Sequence, residues 1–322
     1  VTDGLDKLAL PDRNRSAWLR RYGLVLALGL LCLGLAWANP AFFTAANLVN
    51  ILRQVSINGL LAVGVTFVLL TGGVDLSLGS VVALTGVVAA SLAQPDDGPV
   101  VLAVAAGMGA GLGCGLVNGL LVARAGVAPF IATLGMMTAA RGLALVLSGG
   151  RPVSNLVPGF TALGGDRWGM PLPALLLAAV TLLAWVFLNR TRWGRHLYAV
   201  GSSEAAARAA GVSVSGIKLF AYGLCGALAG LAGVVLAARI TAGQPNAGIA
   251  YELDAIAAVV IGGTSLSGGV GGVGGTILGV LLLGVINSAL DQLNVSAYYQ
   301  QIIKGAIIVG AVWLDQRARK AD

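Results

Sequence analysis

The chain has 322 residues, of which 57% are hydrophobic and only 10% charged, with a net charge of +7 and a mean hydropathy of +0.88. Soluble domains carry about a quarter charged residues, so this composition excludes one and marks an all-α polytopic membrane protein. A single histidine, His196, excludes a multi-His metal site and a His-based triad within the membrane.

Apolar stretches long enough to cross a core of about 30 Å recur along the chain. They predict about ten transmembrane helices, with Gly-rich segments that break or turn them. The spans are Gly23–Trp37, Leu48–Leu70, Leu76–Leu92, Val100–Ala123, Val127–Leu147, Leu172–Leu188, Leu219–Ala238, Ala255–Ile261 with its Gly-rich continuation, Gly274–Leu290 and Ile302–Trp313. The eighth has the shortest apolar core. Forty-eight glycines suit helices that pack closely or are interrupted in the membrane. Cys32, Cys114 and Cys225 stand alone in apolar segments and read as small buried hydrophobes.

Basic residues set the orientation. Lys7, Arg13, Arg15, Arg20 and Arg21 precede the first span, five more lie between Asn189 and Lys218, and Arg317, Arg319 and Lys320 close the chain. Ten spans put all three regions on one side, the cytoplasm. The expected organisation is a cytoplasmic tail over 1–21, one transmembrane domain over 22–316 with a cytoplasmic loop at 189–218, and a tail over 317–322. Both termini are cytoplasmic. The first apolar run is longer than a signal peptide's. Gln94–Pro99 with Asp96 and Asp97, Gly149–Pro171, Thr241–Ala250 and Asp291–Tyr299 face outward. The positive charge is then an inside bias that favours anionic membrane lipid, not a nucleic-acid footprint.

The polar island Asn189–Lys218 carries Arg190, Arg192, Arg195, Arg208 and Lys218 against one acid, Glu204. Within it Glu204-Ala-Ala-Ala-Arg-Ala-Ala-Gly211 is a strong helix former, with Ser202 or Ser203 as cap, Glu204 on the positive end of the helix dipole and Gly211 as stop. This predicts a short docking helix. The stretch from Gly211 to Lys218 lacks the adjacent Gly-Lys-Ser/Thr of a phosphate-binding loop, so the chain does not hydrolyse ATP by itself. A pattern GGxxLSxG occurs twice, at Gly72–Gly79 and Gly262–Gly269, each where one apolar segment gives way to another. Broken helices in corresponding halves point to a transport path, although a pair of tight turns reads the same way.

Polar residues at membrane depth are costly and need a reason. Asp75 suits a helix cap or the wall of a path. Glu252 and Asp254 open the eighth span, where a carboxylate favours the helix N-terminus. Arg141 needs a carboxylate or carbonyls inside the bundle. Arg239 and Lys304 lie near span ends and can snorkel. Asn58, Asn118 and Asn287 can hydrogen-bond between helices.

The stretch Tyr251–Gly269, YELDAIAAVVIGGTSLSGG, resembles the signature of the sugar-type permeases of ABC importers, the ribose branch above all. Phe42-Phe43-Thr44, Ala62-Val63-Gly64, Asp75-Leu76-Ser77, Phe130-Ile-Ala-Thr-Leu134, Thr191-Arg-Trp-Gly-Arg195 and Gln244-Pro245 fit the same group. The resemblance implies a homodimeric permease for ribose or a related small sugar in the bacterial inner membrane. It implies a partner ATPase that holds ATP and magnesium, and a periplasmic or extracellular sugar-binding protein. No cofactor is expected on this chain. In such importers the permease offers a coupling helix to the ATPase, here Glu204, Ala205, Ala206, Arg208, Ala209 and Gly211. Gly211 falls one position late against the general coupling pattern, and its Leu-Pro is missing. Candidate path residues are Asn58, Asp75, Ser77, Asn118, Phe130, Thr133, Arg141, Asp254, Thr264 and Ser265. The rival readings are an ion-coupled secondary transporter of a small polar solute, for which Asp75 and Asp254 would titrate, and a channel or lipid-facing scaffold.

Overall fold

The computed structural model of the chain describes residues 13–38, 40–95 and 99–320. Residues 1–12 and 321–322 of the expected tails, and Asp96 and Asp97, lie outside the described residues. The rest is a helical bundle: α1 (Arg13–Ala38), α2 (Ala45–Leu70), α3 (Leu78–Ser91), α4 (Val100–Ala123), α5 (Pro129–Ser148), the single turn α6 (Pro158–Thr161), α7 (Leu172–Arg190), α8 (Arg192–Ser202), α9 (Glu204–Ala209), α10 (Val214–Arg239), α11 (Tyr251–Ile261), α12 (Val273–Gln292) and α13 (Ala297–Lys320). The only strands among the described residues are Asp166–Arg167 and Met170–Pro171, a small antiparallel hairpin.

Every expected span contains or coincides with a helix, but the count of ten is not confirmed. Six described helices, α2, α4, α5, α7, α10 and α12, are long and apolar enough to cross a membrane. The 14 residues of α3 and the 11 of α11 rise only about 21 Å and about 17 Å, well short of a hydrocarbon core. The eighth span was listed with its Gly-rich continuation, where the GGxxLSxG cluster was expected to break or turn the helix; α11 stops at Ile261 and residues 262–272 form a loop.

These short helices explain the architecture. A long buried helix (α2, α10), a non-helical stretch (71–77, 240–250), a short helix (α3, α11) and another long helix (α4, α12) occur in that order twice. The buried helices are exchanged between the halves. Helix α10 packs chiefly on α4 and α3, whereas α2 packs on α12 and α11 as well as on α10. Glycine lets the backbones approach: a Cβ on Gly111 of α4 would overlap the Gly226 carbonyl oxygen of α10.

The two breaks enter from opposite ends. Stretch 71–77 begins at the end of α2 nearest the island, where Leu70 O accepts from Gly269 N at 3.0 Å. Stretch 240–250 begins at the far end, beside the loop 149–171, to which it is tied by paired backbone bonds between Val153 and Gly243. It then runs down α3, past Gly86 and Val87, until Gly248 meets Gly79. The halves are therefore inverted. The second GGxxLSxG copy lies between α11 and α12, after the eighth span as sequence placed it, while the first follows α2. The copies are not equivalent positions of a repeat; they touch each other at the island end, Gly72 against Ser267.

Candidate functional site

Midway through the bundle, α3 and α11 begin facing one another. A Cβ on Gly79 would collide with the Gly248 carbonyl oxygen and the Glu252 carboxylate, so the helix starts are in direct contact. Glu252 and Asp254 occupy the first turn of α11, as expected for carboxylates near a positive dipole end. Arg141 of α5 holds the descending stretch, its Nη1 donating to Pro245 O at 2.5 Å and Ala247 O at 2.8 Å. The carbonyl partners expected for Arg141 are thus supplied by broken backbone.

Asp254 lies beside a polar recess between α2, α11 and α12, whose polar walls are Gln54, Asn58, Asp254 and Asn287. Lys304 of α13 donates to Asp254 Oδ2 at 2.8 Å. Lys304 therefore closes an ion pair in place of the expected snorkelling. Sequence reading put Asn58 and Asp254 on the path, left Asn287 open between an interhelical bond and a polar solute, and missed Gln54. The signal for Gln54 was present: it stands one helical turn before Asn58 and shares its face.

The other expected path residues fall into separate groups. Asp75, Ser77 and Asn118 form a buried network in which Asp75 Oδ1 accepts from Ser77 N (2.9 Å) and Ser77 Oγ (2.6 Å), and Asn118 Nδ2 donates to Ser77 Oγ (3.1 Å). Tyr222 reaches the same turn, donating to Val74 O at 3.2 Å. Thr264 and Ser265 are also buried, and their hydroxyls accept from Gly272 N and Ser267 N inside the 262–272 loop. On α5, Thr133 is buried with its hydroxyl on Pro129 O, while Phe130 is exposed.

The island folds into two helices. Thr191 caps α8 through Gly194 N, and Ser203 caps α9 by accepting from Ala206 N at 3.2 Å. Ala207 is buried beneath α9; Ala205, Ala206 and Ala209 are exposed. Gly211 has φ +77 and nothing within 4 Å of where a Cβ would sit, as a helix-ending glycine requires. Glu204 pairs back to Lys218 on α10, which staples α9 to the bundle.

Helix α8 ends in the junction of both Gly-rich loops. A Cβ on Gly201 would overlap the Leu70 carbonyl oxygen and press on Gly269 N. Tyr198 donates its hydroxyl to Gly271 O at 3.0 Å, and burial pushes that hydroxyl's pKa up, so it stays a donor. The island therefore touches the α2–α3 and α11–α12 connections at once.

Comparison with known proteins gives a consistent result. The family model described as "Branched-chain amino acid transport system / permease component" matches residues 47–312. The chain is 47% identical over 309 residues to the ribose import permease protein RbsC of Escherichia coli strain K12, covering 94% of this chain and 95% of that protein. It is 47% identical over 302 residues to RbsC of Bacillus subtilis strain 168, covering 93% of this chain and 94% of that protein. The L-arabinose transport system permease protein AraH of E. coli K12 is 39% identical over 302 residues, covering 94% of this chain and 92% of that protein. No solved structure matches.

Proposed function

The chain belongs to the branched-chain amino acid transport system permease family, and we propose that it is the membrane-spanning permease subunit of an ATP-driven importer of ribose or a related small sugar. The observation that carries this is the 47% identity to ribose permeases, which runs through almost the whole of both chains and so covers both halves and the island. On this reading the six long helices, the two short ones and the two terminal ones make a ten-span arrangement in the bacterial inner membrane. The island and both termini face the cytoplasm.

Two copies enclose one path, and each presents α9 to a groove on a cytoplasmic ATPase that binds ATP and magnesium. A sugar-binding protein docks over the far end. The support for α9 as the coupling helix is its geometry: Ala205, Ala206 and Ala209 form an exposed face of small side chains, while Ala207 and the Glu204–Lys218 pair hold the helix down. The test is the full importer in vesicles. Ala206→Trp is expected to insert and fold normally, lose ATPase association and abolish ATP-dependent ribose uptake, by the steric logic of overpacking. Normal pull-down and normal uptake would reduce the island to a linker. Absence of ATP-dependent sugar uptake by the unaltered complex would overturn the functional reading itself.

A further inference from the structure

The recess between α2, α11 and α12 has an unusual polar inventory. Gln54, Asn58 and Asn287 bring three side-chain amides to its wall, and none makes a hydrogen bond among the described residues. Asn287 is only 5% exposed as a residue, and what remains accessible of it lines the recess. Three amides with no protein partner converging on one partly enclosed space suit a polar occupant that can bond to them. Asp254 adds a carboxylate to the same wall, fixed by Lys304. The free space holds about one water molecule, or one hydroxyl group of a larger solute. Gln54 and Asn58 are half-buried, which leaves the recess approachable from one side.

Its position matters as much as its chemistry. It lies near the middle of α2 and at the N-terminal turn of the half-length helix α11. Interrupted helices in transporters commonly build polar solute sites at such a depth and between inverted halves. Amides both donate and accept, and a carboxylate accepts, so together they match a hydroxyl, which needs one of each.

We propose that this recess is a hydroxyl-binding subsite of the translocation path. Gln54, Asn58, Asn287 and Asp254 there receive one hydroxyl of the passing polyhydroxylated solute. The identity of that solute as a ribose-like sugar rests on the function proposed above; the subsite itself rests on the recess. Its job is transient: it replaces hydration for one hydroxyl during passage, with Gln54 and Asn287 as specificity residues.

Two measurements separate the two claims. In the reconstituted importer, Asn58→Leu and Asn287→Leu are each expected to lower ribose uptake about three- to tenfold, the loss of roughly one hydrogen bond. ATPase association and thermal stability should match the unaltered protein. Uptake at the unaltered rate in both would overturn the subsite. The second measurement needs neither ATPase nor uptake. Gln54→Cys, on the approachable side of the recess, with Cys32, Cys114 and Cys225 replaced by alanine, is treated with a small thiol-reactive methanethiosulfonate. Labelling that ribose slows in a concentration-dependent way supports the subsite, even if uptake fails and the importer reading falls. No labelling, or labelling indifferent to ribose, overturns the subsite while leaving the importer reading untouched.

Discussion

Asp75 is buried to 1% exposure without an ion-pair partner among the described residues, and what it does instead is organise a turn. Its Oδ1 takes both the backbone N–H and the hydroxyl of Ser77 just before α3 begins, and Asn118 of α4 secures that hydroxyl from the other side. This is a local Asx turn ahead of α3 and not the helix cap weighed from sequence, since α3 has no side-chain cap and Asp75 bonds to the N–H of the N-cap residue Ser77 itself. Asp75→Ala would leave two buried donors without their acceptor, at a cost of about 1–3 kcal/mol. Asp75→Asn keeps one acceptor oxygen and should cost less. Thermal unfolding in detergent should therefore rank the proteins unaltered, Asp75→Asn, Asp75→Ala; equal midpoints would mean that the network carries no stability. The contrast with Asn58 is instructive. Both are polar residues in apolar surroundings, and sequence listed them together, but one is saturated by its neighbours and the other faces open space. Only the folded arrangement separates them, because the network around Asp75 is completed by Asn118 from a distant helix.

At the level of elements, much of the bundle was legible. Runs of apolar residues located the long helices to within a few residues, since burial in lipid or in the bundle both demand them. The island helix was legible for local reasons: Ser203, Glu204 and Gly211 are cap, first turn and stop, and each works within its own few residues. What was hidden depends on partners far along the chain. The second buried helix, α10, looks like any apolar span, and nothing local says that it packs into the other half. The break at 240–250 carries Thr241-Ala-Gly-Gln-Pro245, a turn-rich sequence, but its descent along α3 is decided by Gly86 and Gly79. The likeness of the GGxxLSxG copies suggested symmetry where there is adjacency. That adjacency gives α8 a function of its own. With Gly201 against Leu70 and Gly269, and Tyr198 bonded to Gly271, any tilt of α8 must move both loops. Tyr198→Phe deletes one hydrogen bond, worth about 0.5–1.5 kcal/mol, without removing the ring. The expected outcome is a permease that still associates with its ATPase but transports several-fold less ribose per phosphate released. An unchanged ratio would assign coupling to α9 alone.

For the whole molecule, the island end and the far end carry different kinds of surface, and the proposed importer needs both. The far end is made of the loop 149–171, the start of the 240–250 stretch and the turn after α12. Within it, charges that looked equivalent in sequence have separated. Asp166 is taken by Arg53 at 2.5 Å, so it ties the hairpin to α2. Arg151 is exposed, and Arg167 lies over the exposed ring of Trp168 with its guanidinium 5.6 Å from the ring centroid. If a sugar-binding protein docks over this end, as proposed, Arg151 and Arg167 are exposed cations within its reach, whereas Asp166 belongs to the fold. Rim charges act mainly on association rate and salt dependence, not on the final fit. Arg151→Glu with Arg167→Glu should leave basal ATP hydrolysis and the stability of the protein unchanged. The concentration of loaded binding protein needed for half-stimulation of the ATPase should rise, with a weaker dependence on ionic strength. Reversal at Asp166 should behave otherwise, loosening the hairpin by placing two like charges together at Arg53. If the double arginine reversal leaves both the half-stimulating concentration and its salt dependence as they were, docking must use another face.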